Sequence, residues 1–143
     1  MVITVTPLST PESLVRVALS VLSVGGTLLL DRAFTPGDVV TAIDDEGATL
    51  LPGREAVLRD IAAEPGFDAA AESLERVLCD APVAADVVAA YRDRDVPVAR
   101  VYGRLECPTA LSQRFDDDRV GTDGDGAGVG RPVPNCRARL VDR

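Results

Sequence analysis

Short apolar runs rich in β-branched residues alternate with amphipathic, proline-led helical patterns along most of this chain. That alternation is what most restricts its fold. Residues 2–6 are β-branched throughout and read as a buried strand closed by Pro7. Apolar runs at 27–30, 48–51, 76–79 and 97–102 read as four further strands. Between the first two, Leu14, Val17, Ala18, Val21 and Leu22 recur at helical spacing, which predicts one inward stripe with Arg16, Ser20 and Ser23 on the solvent face. Ser9 or Thr10 supplies the cap, Pro11 and Glu12 the first turn, and Gly25-Gly26 the stop. Thr35-Pro36-Gly37-Asp38 repeats the cap-then-proline signal before Val39, Val40 and Ile43. Val57, Leu58 and Ile61 mark a third helix ended by Pro65-Gly66, followed by an Ala-rich turn, and residues 84–95 a fourth helix with Val87, Val88 and Tyr91 inward. This order predicts an α/β fold, a roughly five-stranded, mostly parallel sheet with flanking helices. After Gly103 the pattern changes: 112–128 is an Asp- and Gly-rich loop, and 136–141 alternates like a half-exposed strand. The expectation is one domain over 1–143, with an α/β core at 1–111 and a loop and final strand at 112–143.

Charge and residue usage narrow the function. Of 143 residues, 23 are acidic and 15 basic, a net charge of −8, and every basic residue is Arg. Nucleic acid is not an expected partner, because phosphate backbones are held by clustered cations. Without Lys or His there is no imidazole base, Schiff-base amine or phosphate-binding ammonium. The longest uncharged stretch, 17–30, is too short and too polar to span a bilayer, and no basic segment precedes an apolar leader. Cys79, Cys107 and Cys136 lie 28 and 29 positions apart, which suits reduced thiols in a cytoplasmic protein better than a disulfide framework or a zinc site.

One set of residues is more specific. Tyr102-Gly103-Arg104-Leu105-Glu106, after a buried strand, resembles the Tyr-Gly-x-Thr-Glu motif of AMP-dependent synthetases and ligases, the adenylate-forming family that includes acyl-CoA synthetases. Cys79-Asp80-Ala81-Pro82 is similar to that family's Gly-Gly-Ala-Pro segment, and Gly126-Ala127-Gly128-Val129-Gly130-Arg131-Pro132 before Arg139-Leu140-Val141-Asp142 to its Gly-Arg-Pro segment. Thr6-Pro7-Leu8 and Gly25-Gly26-Thr27 resemble two earlier family segments, so the likeness runs the length of the chain as a central fragment of the family.

The resemblance implies ATP and Mg²⁺ as cofactors and an ATP-dependent acid–thiol ligase as ancestor. It places Asp80, Ala81, Pro82, Tyr102, Gly103, Arg104 and Leu105 at the nucleotide and Glu106 at the metal. Departures accompany it: Leu105 replaces a Thr that meets phosphate, Asp80 replaces a Gly, and Ser9-Thr10 replaces an aromatic or His. The family's phosphate loop, ribose-binding Asp and catalytic Lys have no counterpart, so autonomous adenylation is not expected and no catalytic residue is assigned. Three alternatives stay open. The chain is a degenerate module binding nucleotide weakly, an interaction module or split subunit, or a remnant without selected function. A protein partner would supply the missing domains or pair with the strand at 136–141. Glu106 reads equally as an exposed loop carboxylate, and Tyr102 as a packed strand-end aromatic. Asp116, Asp117, Asp118, Asp123 and Asp125 read as a solvated acidic loop, since Pro134 stands where a Ca²⁺ loop needs its bidentate Glu.

Overall fold

The computed structural model describes residues 1–30, 34–80, 82–114 and 128–139. It is an α/β fold built on a seven-stranded sheet. Strands β1 (Val2–Thr4), β2 (Leu28–Leu30), β3 (Leu50–Gly53), β4 (Arg76–Cys79) and β5 (Val98–Arg104) are parallel. Two antiparallel strands, β6 (Cys107–Ser112) and β7 (Arg131–Pro132), extend it beyond β5, giving the order β2-β1-β3-β4-β5-β6-β7. A π-wound helical segment, Glu12–Leu19, runs into the short helix α1 (Ser20–Ser23), and α2 (Pro36–Glu46), α3 (Glu55–Ala62), α4 (Phe67–Ala71) and α5 (Ala85–Arg92) follow.

Local chemistry accounts for most of these boundaries. At α2, Thr35 Oγ1 accepts the Asp38 amide at 3.3 Å, and Pro36 occupies the first turn, where no amide partner is needed. Gly47 then ends the helix with φ +63°, a conformation that costs glycine little. Val39, Val40 and Ile43 are buried as their spacing predicts, as are Val87, Val88 and Tyr91 of α5.

One face of the sheet, including Ile3, Leu51, Val77, Cys79 and Val98, packs under α2 to α5 to form the main core. Within it Tyr91 Oη donates to the Leu58 carbonyl at 2.9 Å. Burial pushes this hydroxyl above its usual pKa, so it stays a donor. Tyr91→Phe should therefore cost about 0.5–1.5 kcal/mol of stability, the net worth of one neutral hydrogen bond, measured by urea unfolding. The first helical segment and α1 lie against the opposite face, where Val17 and Ala18 are buried.

The first helix departs from its expected phase. Hydrogen bonds spanning five residues put more residues in each turn than an α-helix has, so burial falls at Ser13, Val17 and Ala18. Leu14 and Leu22, expected inside, are 41% and 57% exposed, and Arg16, expected outside, turns inward. The Ala-rich turn is in fact α4, anchored by Phe67. The strand expected at 136–141 does not form over 136–139. The sheet instead ends at β7, because β6 pairs back on β5 and takes Arg131 and Pro132 as its other neighbour. Residues 140 and 141, and the Asp116 to Asp125 carboxylates, lie outside the described residues.

Candidate functional site

Leaving β1, the chain builds β2 on one side and then crosses to build β3 on the other. In parallel α/β sheets the crevice at such a reversal, outside the carboxyl ends of the strands, is where ligands bind. In this chain Thr6 beyond β1, Gly53 at the end of β3 and Asp80 just past β4 border one small pocket with Ser13 and Arg16. Its Ser13 joins two further hydroxyls: Thr6 Oγ1 lies 2.6 Å from Ser13 Oγ, and Thr10 Oγ1 donates to Ser13 Oγ at 2.9 Å.

Asp80 is the electrostatic centre. Its Oδ2 lies 3.9 Å from Arg16 Nη1 and its Oδ1 3.9 Å from Arg54 Nε. Oδ1 is buried and makes no hydrogen bond among the described residues. Arg16 is held from a second direction, donating from Nε to the Pro108 carbonyl at 3.1 Å. A cleft of about 230 Å³ opens beside this group, lined by Glu12, Arg16, Arg54, Asp80 and Gly103. Two guanidiniums facing two carboxylates largely neutralise each other, so the cleft is polar without being strongly attractive to anions.

The second half of the site is the β5–β6 hairpin. β5 lies beside β4 in register Cys79↔Arg100, which carries Tyr102 out at the same carboxyl edge as Asp80. Tyr102 is 40% exposed, not a packed aromatic, and its Oη accepts from Arg104 Nε at 3.2 Å. That hydrogen bond, with Glu106 nearby as a weaker influence, holds the Arg104 guanidinium above its usual pKa. The ladder slips between Tyr102 and Arg104, placing Gly103 at a bulge. Arg104 ends β5 opposite Cys107, and Leu105 and Glu106 form the exposed turn into β6. Pro82 is exposed beyond β4, and Ala81 lies outside the described residues.

Of the residues singled out from sequence, Asp80 and Gly103 therefore share a cleft, while Arg104, Leu105 and Glu106 do not line it. Arg16, Arg54, Thr6 and Ser13 were not foreseen there. The topological reversal would have pointed to Thr6 and Gly53, but Arg16 enters only because of the π winding. No group of three or more His, Cys, Asp or Glu side chains gathers among the described residues. Glu106 alone thus fits a Mg²⁺ ion only jointly with phosphate oxygens and water, which is how this cation is commonly held. None of the helices among the described residues is long and apolar enough to cross a membrane.

Comparison with known proteins agrees with this geometry. Feruloyl-CoA synthases of Amycolatopsis sp. and Streptomyces sp. are each 38% identical to the chain over 123 residues, covering 82% of it and 25% of the relative. The chain therefore spans about a quarter of the length of these relatives. Among solved structures, ATP-bound MatB from Rhodopseudomonas palustris superposes with a TM-score of 0.78 at 20% identity, over 93% of this chain and 26% of that one. The amide bond synthetase McbA from Marinactinospora thermotolerans gives 0.71 at 30% identity, over 93% and 27%. The family profile described as AMP-binding enzyme matches residues 1–143. With its parallel sheet, its reversal-point pocket and its Tyr102-to-Glu106 hairpin, the chain belongs to the AMP-binding enzyme family.

Proposed function

We propose that these residues form the nucleotide-facing part of an acyl-CoA ligase, binding ATP and Mg²⁺ weakly by themselves. The observation that carries this reading is the side-by-side arrival of the Asp80 turn and Tyr102 at the carboxyl edge of adjacent parallel strands. Pro82 and the exposed ring of Tyr102 would border the base, with Ala81, Gly103 and Leu105 beside it and Arg104 steadying the Tyr102 hydroxyl. Glu106 would take the magnesium that accompanies the phosphates. Arg16 and Arg54 are already engaged with Asp80, and these 143 residues contain no Lys, so phosphate neutralisation comes from elsewhere in the assembled enzyme. The name of the relatives directs the choice of acid to an aromatic one such as ferulate, and the widely spaced cysteines direct the setting to the cytoplasm.

The test is calorimetric titration of ATP, with and without Mg²⁺, into protein shown by circular dichroism to be folded. Saturable binding that Mg²⁺ strengthens is expected, and Glu106→Gln should remove the Mg²⁺-dependent part, about tenfold or more in affinity for the loss of one interaction with a charged group. Binding indifferent to Mg²⁺ and to that substitution would retire Glu106 as the metal contact. No heat from a folded chain would retire the nucleotide role.

A specific observation also supports a protein partner. The sheet face opposite the main core keeps an open apolar cleft of about 290 Å³ between Val2, Leu50 and Leu78 and the helix residues Val17, Val21 and Val24. Leu19, Leu22 and Val24 continue the apolar surface outward. Parallel sheets are normally covered on both faces, and the relatives carry about three-quarters of their length beyond the matched part. We assign this face to the remaining part of the ligase. Pairing through 136–141 has no strand over 136–139 to build on.

A further inference from the structure

Two thiols far apart in sequence meet at the far edge of the sheet. Cys107 opens β6 and Cys136 follows β7, and their sulfurs stand 3.8 Å apart. The approach follows from strand register. β6 and β7 pair Ser112 with Arg131 and Leu111 with Pro132, and Val133 N donates to the Ala110 carbonyl at 3.1 Å. Each step forward from Arg131 is a step back along β6, so the same register carried three residues further sets Cys136 opposite Cys107. Pro134 and Asn135, the latter at φ +68°, turn the chain, and Cys136 N closes that turn on the Val133 carbonyl at 3.0 Å. The sulfurs still meet. Their hydrogen bond raises the Cys136 thiol above its usual pKa, as expected when two sulfurs share a proton. Both side chains are partly accessible, whereas Cys79 is buried in the core.

We propose that Cys107 and Cys136 form a reversible dithiol–disulfide site that reacts with low-molecular-weight disulfides and staples the β5–β6 hairpin to the segment after β7. One protein thiolate attacks a sulfur of the small disulfide: a protein–S bond forms, the S–S bond of the reagent breaks, and one small thiolate leaves. The second protein thiolate then attacks the first protein sulfur, forming the internal disulfide and expelling the second small thiolate. Two protein thiols are oxidised by two electrons, one small disulfide is reduced to two small thiols, and the two protons pass to those products. The neighbouring sulfur makes the second step intramolecular, which favours the internal bond over a persistent mixed disulfide. The closed bond would tie down the strand that begins immediately after Glu106. This site stands on its own geometry and does not depend on nucleotide binding.

The full chain is incubated with oxidised glutathione under native conditions, alkylated and mapped by mass spectrometry. The expected product is a monomer about 2 Da lighter than the dithiol form, with Cys107 cross-linked to Cys136 and only Cys79 left to alkylate after unfolding. Its Tm should rise by about 10 °C over the reduced protein, as for closure of a loop of this length. Dithiothreitol should restore the original Tm. Cys79→Ser should cross-link as fully as the unaltered chain, while Cys107→Ser and Cys136→Ser should each stop at a glutathione adduct. Glutathione retained on both cysteines, a disulfide-linked dimer, a cross-link through Cys79, or an internal disulfide with unchanged Tm would each overturn the proposal.

Discussion

Replacing Gly103 with alanine is expected to part the β5–β6 hairpin and lower stability by about 3 kcal/mol, at the upper end of what overpacking costs. A Cβ at this position would overlap the Pro108 carbonyl and press on that of Cys107. These are backbone atoms of the facing strand, with no side-chain rotation to relieve them. The strands approach so closely because the ladder slips between Tyr102 and Arg104, leaving Gly103 in the bulge. The effect should also travel. The Pro108 carbonyl is the acceptor for Arg16 Nε, and Arg16 reaches on to Asp80, so displacing Pro108 loosens the charged cluster at the ends of β3 and β4. Hydrogen exchange would read both consequences. The Gln113 amide, bonded to the Arg100 carbonyl at 2.8 Å, should lose protection, while amides of α2 should lose only what the global change in stability removes. Unchanged Tm and exchange would mean that the strands do not approach at Gly103 as described. The glycine of the Tyr-Gly motif thus has a packing reason beside any nucleotide.

How much of this was legible from residues alone depended on how local the determining physics is. The limits of α2 follow from Thr35, Pro36 and Gly47, all acting within the helix they bound, and β4 is legible because the apolar Val77-Leu78-Cys79 stands between charged Glu75-Arg76 and Asp80. The first helix has equally clear apolar spacing, yet its winding is not α-helical, so the phase that puts Ser13 and Arg16 inward could not come from a 3.6-residue period. Strand β6 carries Pro108, Ala110 and Ser112 where a strand usually shows bulky β-branched or aromatic residues, and its existence rests on pairing with β5. α4 is a five-residue Ala-rich helix, too short for periodicity to register.

The site divides in the same way. Asp80, Tyr102 and Glu106 were accessible because they stand in short segments that resemble family motifs, whereas Arg16 meets Asp80 and Pro108 across 64 and 92 positions of sequence. The cysteines make the point most sharply. Spacings of 28 and 29 gave no hint of a pair, yet antiparallel register brings two of the three sulfurs within 3.8 Å.

Phe67→Ala is expected to be the most costly single truncation in the core, about 3–5 kcal/mol. Phe67 is 1% exposed, and its ring meets Tyr91 edge-on at 5.1 Å with an interplanar angle of 75°. The Arg94 guanidinium lies 5.0 Å from the ring centroid. Truncation therefore removes the apolar area, the edge-to-face contact and the cation–π contact together, and leaves a void against Tyr91. α4 cannot close that void by shifting, because its remaining buried groups are Ala70 and Ala71, and Ser73 is tied to the Ala48 carbonyl at 2.9 Å. Against a total stability of about 5–15 kcal/mol for a domain of this class, the loss is a large share. It should appear as a lower urea midpoint with unchanged slope, whereas Leu22→Ala, on the exposed apolar surface, should stay within about 0.5 kcal/mol. The position of α4 adds a second reading. It lies in the connection entering β4, at the amino edge of the sheet, while Asp80, Tyr102 and Glu106 stand beyond the carboxyl edge. At a temperature where the variant remains folded, Mg²⁺-dependent ATP binding should match that of the unaltered chain. A variant that unfolds early but binds equally well would show that the sheet edge carries the site by itself. Weaker binding by folded Phe67→Ala protein would mean that strain in the helical layer passes through β4 to the Asp80 turn.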